Sequence, residues 1–140
     1  MTLEPYLTFN GRCEEALQFY VRQLDAEVTA LMRFADAPEH GAGCAPGPQP
    51  APDKIMHACL RIGDATLMAS DGMADGPPRF EGFALTLAVE DEASARRRFE
   101  ALGDGGQILM PLAPTFFAHQ FGMVADRFGV SWMVIIPRDA

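Results

Sequence analysis

The chain has 140 residues, 49% of them hydrophobic and 21% charged, which are the proportions of a globular protein rather than a disordered or fibrous one. Nineteen acidic against eleven basic side chains give a formal charge of −8; this repels a phosphate backbone, no basic stripe with interleaved aromatics offsets it, and nucleic acid is excluded as a partner. Three cysteines, Cys13, Cys44 and Cys59, form no CxxC pair and no even set, so reduced thiols in a cytoplasmic protein are expected rather than a disulfide framework or a zinc ribbon.

The opening segment, MTLEPYLTFNG, has no basic stretch followed by an apolar one and does not read as a signal peptide. No apolar run approaches the roughly 20 residues that span a bilayer, so no membrane association is expected. Residues 3–9, LEPYLTF, read as a strand, and Asn10-Gly11 as a turn into a helix. That helix places Ala16, Leu17, Tyr20, Val21 and Leu24 at helical spacing. Glu14 and Glu15 in its first turn and Arg22 near its end complement the helix dipole. AEVTALMRF follows as a second strand. Residues 36–53 then carry five prolines and three glycines, a loop that either covers a pocket as a flap or is disordered.

KIMHACLRIG and ATLMAS read as a hairpin turning at Gly63-Asp64, and DGMADGPPR as a linker. The second half opens on the strand GFALTLAVE. The helix DEASARRRFEAL follows, with acids at its start and Ala95, Phe99 and Leu102 as its apolar stripe. GGQILMPL is a further strand, and FFAHQFGMVAD with SWMVIIP is a hairpin around RFGV. Strand, helix and three strands therefore occur twice, as modules at about 1–71 and 80–137 of a single domain spanning 1–140. Each half has an open sheet that cannot bury its own apolar face, and two copies set side by side are expected to close a core between sheet and helices. The expected class is α+β, two βαβββ modules pairing into a curved mixed sheet with helices outside.

A doubled βαβββ unit resembles the vicinal-oxygen-chelate superfamily, the fold of glyoxalases, bleomycin-resistance proteins and extradiol dioxygenases. FNGRCEEALQFY, MHACLRIGDATLMASD, EALGDGGQILMPL and FFAHQFGMVADRFGVSWMV are similar to its PhnB-like branch. Some members of that branch carry a demethylubiquinone-methyltransferase label. This chain has no glycine-rich strand-to-helix turn to hold a nucleotide-like cofactor, since its GxG at Gly41 to Gly43 lies in the proline-rich loop. The resemblance implies a homodimer and four metal-ligand positions, which fall here on Pro5, on Met68 or Ala69, on Phe83 and on Met133. None of these is imidazole, carboxylate or thiolate, so no metal and no cofactor are expected.

Among the chemically capable residues, His57 has either a proton-carrying or ligand-orienting role or a backbone-bonded, half-buried one. His119 and His40 read as solvated. His57 and Cys59 lie two apart on a strand and share a face, but a nucleophile also needs an orienting third partner. Ser70 and Asp71 end a strand, where a pocket rim and a local turn both favour such residues. Asp126 reads as turn chemistry, bonding to the backbone two residues on. Phe9, His57, Met68, Ser70, Phe83, Phe117 and Met133 form the expected ligand pocket, in which methionines supply an adaptable apolar lining. No residue is assigned a catalytic role, and enzymatic activity is left open. A metal-free binder of a small, apolar molecule is the leading reading. A metal-dependent lyase or oxygenase with ligands such as His57 and Asp71, and a protein-interaction module with a closed cleft, are the alternatives.

Overall fold

A computed structural model describes residues 1–36, 50–73 and 76–138. Most of the loop expected at 36–53, with His40 and Cys44, lies outside the described residues. The chain divides into two compact units, Met1–Pro78 and Arg79–Ala140. The first contains β1 (Tyr6–Thr8), α1 (Cys13–Leu24), β2 (Glu27–Arg33), a 3-10 turn (Phe34–Asp36), β3 (Ile55–Ile62) and β4 (Ala65–Ser70). The second contains β5 (Leu85–Ala88), α2 (Glu92–Gly103), β6 (Gln107–Ala113), β7 (Ala118–Ala125) and β8 (Ser131–Pro137). Each unit is a βαβββ module with one four-stranded mixed sheet, ordered β1-β4-β3-β2 in the first and β5-β8-β7-β6 in the second. The first strand of each module pairs in parallel with the last, and the remaining pairs are antiparallel.

In the first unit α1 covers one face of the sheet. Leu7, Ala58, Leu60, Leu67 and Ala69 are buried there with Ala16, Leu17, Tyr20 and Leu24 of the helix. Phe19, absent from the expected stripe, has no exposed surface and meets Tyr20 edge to face with ring centroids 5.6 Å apart. Val21, placed in that stripe, is exposed. The buried arc of α1 is wider than a narrow stripe and is centred away from Val21, which borders a shallow groove of about 320 Å³ between α1 and β2. The helix closes on Asp25 in the left-handed conformation, φ 54°, whose amide donates to the Tyr20 carbonyl.

Asp71, at the end of β4, is buried and does more than make a local turn. One carboxylate oxygen accepts from the Cys13 amide at 2.8 Å and the other from the Ile55 amide at 2.7 Å. It thus joins the first turn of α1 to the start of β3, where the helix leaves amide donors unpaired.

In the second unit Asp91 caps α2 by accepting from the Ser94 amide at 2.7 Å, and Ala95, Phe99 and Leu102 are the buried helix residues. Along β8, Trp132, Val134 and Ile136 are buried towards this helix while Ser131, Met133 and Ile135 alternate onto the other face. The hairpin into β8 turns at Asp126, whose carboxylate accepts from the Phe128 amide two residues on, as its sequence setting predicts. Among the described residues, no helix is long and apolar enough to cross a membrane.

Candidate functional site

The sheet of the first unit has a second face, away from α1, and its register decides what that face carries. Tyr6 pairs with Met68, Met68 with Cys59 and Cys59 with Ala30, so these four form one row across all four strands. Thr8 with Ser70, and His57 with Met32, lie one step along on the same face. Tyr6 on β1 reaches across the intervening strand β4 to His57 on β3. Its hydroxyl oxygen lies 3.0 Å from the ring Nδ1, and the two rings stack with centroids 5.6 Å apart. The other ring nitrogen, Nε2, lies 3.5 Å from Cys59 Sγ, within hydrogen-bond reach for sulfur. Tyr6, His57 and Cys59 are therefore a connected phenol–imidazole–thiol line, and both heterocycle nitrogens are engaged. Tyr6 is exposed, His57 and Cys59 half-buried.

The sheet of the second unit presents a different open face. Thr86, Met133, Met123 and Met110 make a row across β5, β8, β7 and β6. Ala88, Ile135 and Phe121 lie in the adjoining row. Phe117, at the entry to β7, meets Phe121 edge to face at 5.1 Å and Phe116 at 5.2 Å. Three methionines and two interlocked aromatics thus give this face a soft, polarisable, apolar surface without a titratable group among them. A smaller groove of about 170 Å³ lies on the helix side, between α2 and the β6–β7 strands, lined by Glu92, Arg96, Phe99, Glu100, Leu112 and Gln120.

The expected pocket residues are distributed over these faces unequally. His57, Met68 and Ser70 share the open face of the first sheet, although Ser70 is 5% exposed. Met133 and Phe117 belong to the open face of the second. Phe83 is exposed in the segment just before β5. Phe9 is a correction. Strand alternation turns it with Leu7 to the helix side, where it has no exposed surface and its ring lies 6.4 Å from Tyr20, so it is a core residue. His119 is exposed, with Nδ1 at 3.3 Å from an Arg138 guanidinium nitrogen. Among the described residues, no three of His, Cys, Asp and Glu gather as metal ligands. Tyr6 carries no local signal in the sequence, because its partner stands 51 positions away and the parallel β1–β4 pairing brings the two together. Cys13 lies on the helix side and is a different kind of thiol from Cys59: it is fully buried, and burial with the nearby charges of Asp71 and Glu14 pushes its pKa up to about 12.

Two βαβββ modules, each with a helix on one face of its sheet and an open opposite face, define a protein of the vicinal-oxygen-chelate fold superfamily, to which its solved neighbours also belong. Within it, the chain belongs to the PhnB-like family described as 3-demethylubiquinone-9 3-methyltransferase, whose sequence model matches residues 1–135. It is similar to protein YjdN of Escherichia coli K12, at 38% identity over 142 residues covering 99% of this chain and 97% of that one. It is similar to the crystal structure of protein PA1353 from Pseudomonas aeruginosa, with a TM-score of 0.83, 43% identity and 99% of both chains covered. A PhnB protein from Bacillus cereus shares the fold with a TM-score of 0.77 and 28% identity, over 97% of this chain and 99% of its own.

Proposed function

We propose that this protein is a metal-free, cytoplasmic binder of a small, largely apolar molecule, acting as a homodimer. The observation that supports this reading best is the open face of the second sheet, where Met110, Met123 and Met133 stand in one row beside Phe121 and Phe117. An apolar face of this kind, on a chain of charge −8, is a surface kept for contact rather than for solubility. Methionine adapts its shape to a ligand at low cost. The residues at the four superfamily ligand positions, Pro5, Met68 or Ala69, Phe83 and Met133, support the metal-free part, because none offers an imidazole, carboxylate or thiolate. The methyl transfer in the family description is not carried over, because the β1–α1 turn at Asn10-Gly11 is not the glycine-rich turn that cradles such a cofactor.

Titration with an apolar fluorescent dye, together with elemental analysis of tag-free protein and melting with and without a chelator, tests this reading. Saturable dye binding, no stoichiometric ion and an unchanged melting midpoint are expected. About one transition-metal ion per chain, with melting lowered by the chelator, would favour a metal-dependent enzyme instead. Absence of dye binding would favour a closed, protein-binding module.

A further inference from the structure

We propose that Cys59 is a nucleophile, with His57 as its base and Tyr6 as the residue that positions His57, and that the first sheet's open face takes soft carbon electrophiles of the α,β-unsaturated carbonyl class. The proposal goes beyond the reading of this protein as a small-molecule binder, because it concerns the first sheet and the methionine-lined face lies on the second. A thiol becomes reactive when a base within hydrogen-bond reach accepts its proton and a third group holds that base in place. Both conditions are met on one face: Cys59 Sγ to His57 Nε2 at 3.5 Å, and His57 Nδ1 to the Tyr6 hydroxyl oxygen at 3.0 Å. With a proton on Nδ1 donated to Tyr6, the lone pair of Nε2 faces the sulfur. Once Nε2 takes the thiol proton, the imidazolium donates at both ends, to Tyr6 and to the thiolate.

The surroundings narrow the electrophile. Acyl transfer needs amide donors aimed at a developing oxyanion. The Cys59 strand is the inner one between β2 and β4, so its amides are committed to the sheet ladders on both sides. Conjugate addition needs only a nucleophile and a proton carrier. The sulfur bonds to the β-carbon, the carbon–carbon π pair moves to the α-carbon, and His57 Nε2 returns the thiol proton there. The thiol adds across the double bond, and no oxidant, reductant or leaving group is involved. Met68 and Met32, the cross-strand neighbours of Cys59 and His57, give the approaching carbon skeleton an apolar seat. Arg61 and Glu27, which are cross-strand neighbours on this face, pair with one another.

The probe is 2-cyclohexen-1-one, with glutathione in the same solution as the reference thiol. Trypsin cuts after Arg12, Arg22, Arg33, Lys54 and Arg61, so Cys13, Cys44 and Cys59 fall in three different peptides and mass spectrometry reads each separately. At pH 7 the Cys59 peptide is expected to gain the adduct about tenfold or more faster than glutathione, while the Cys13 peptide stays unmodified. His57→Ala is expected to remove that advantage and to give the rate a pH profile like that of a free thiol, whose pKa is about 8.5. Tyr6→Phe should lower the rate by about threefold with the melting midpoint held, because the hydroxyl positions the ring rather than packing the core. Cys59 reacting no faster than glutathione, or a His57→Ala profile identical to that of the native protein, would overturn the proposal. A Cys59→Ser variant separates the two readings. Dye binding by this variant alongside an inert native thiol overturns the nucleophile and leaves the binder. A fast native thiol with no dye binding in either protein overturns the binder and leaves the nucleophile.

Discussion

Replacing Asp126 by alanine removes a single carboxylate that three donors share. One of its oxygens accepts from the Phe128 amide at 2.9 Å and the Val130 amide at 3.1 Å, and the other from the Trp132 indole nitrogen at 2.9 Å. Asp126 is 3% exposed, so water does not replace it freely. Each buried donor left without an acceptor costs about 1–3 kcal/mol. The backbone bonds of the turn, Asp126 amide to Val130 carbonyl and Gly129 amide to Asp126 carbonyl, survive the substitution. Exposed Gly129 also gives water a route to the loosened amides. The low end of the sum therefore applies, about 3 kcal/mol, or roughly 10 °C in melting midpoint for a chain of this size. Urea denaturation followed by the fluorescence of Trp132, the one tryptophan in the sequence, reads both the midpoint and the site itself. Asp126→Asn, which keeps one acceptor oxygen but turns an NH2 group towards a donor, should fall between the two proteins. A loss below about 1 kcal/mol for Asp126→Ala would refute the view that this carboxylate organises the β7–β8 turn.

Met133→Glu should shift the urea midpoint by less than about 1 kcal/mol, because the side chain lies on the open face, whereas Val134→Glu, one residue on and fully buried, should cost several kcal/mol. Asp91→Ala should lower the melting midpoint by freeing the Ser94 amide. Bonding from Ser94 holds the Asp91 carboxyl below its usual range, so its contribution is present above the ordinary carboxylate pKa and is lost as pH falls through the folded value. The melting difference between native protein and Asp91→Ala should accordingly shrink as the solution is taken from neutral to strongly acid. Gly106→Ala and Gly103→Ala should have opposite signs in the same denaturation assay. A Cβ at Gly106 would stand 2.1 Å from the Ala125 carbonyl oxygen and should cost about 2 kcal/mol or more, while one at Gly103 meets Val124 at an ordinary 3.5 Å and should gain up to about 0.5 kcal/mol from helix propensity.

The doubled module was legible because its signals are local. Alternation in SWMVIIP separates Met133 from Trp132 and Val134, and the 3.6-residue period of α2 marks Ala95, Phe99 and Leu102 as its buried face. The width of a buried helix face is less local, which is why Phe19 and Val21 exchanged places between expectation and structure. The site was legible only in part. That His57 and Cys59 share a face follows from a two-residue step on one strand. Phe9, by contrast, needed the strand phase of β1, and three residues of strand give too short a pattern to read. Tyr6, Met110 and Met123 enter their faces through pairing register, which the sequence does not spell out residue by residue.

Labelling the eight methionine methyl groups with carbon-13 and recording their resonances while an apolar probe is added tests the ligand-binding proposal most directly. Saturable shifts at Met110, Met123 and Met133 are expected, with the exposed Met1 and Met73 unmoved as internal controls. Saturable binding of the probe with those three resonances unchanged would contradict the assignment of the open, methionine-lined face as the ligand site.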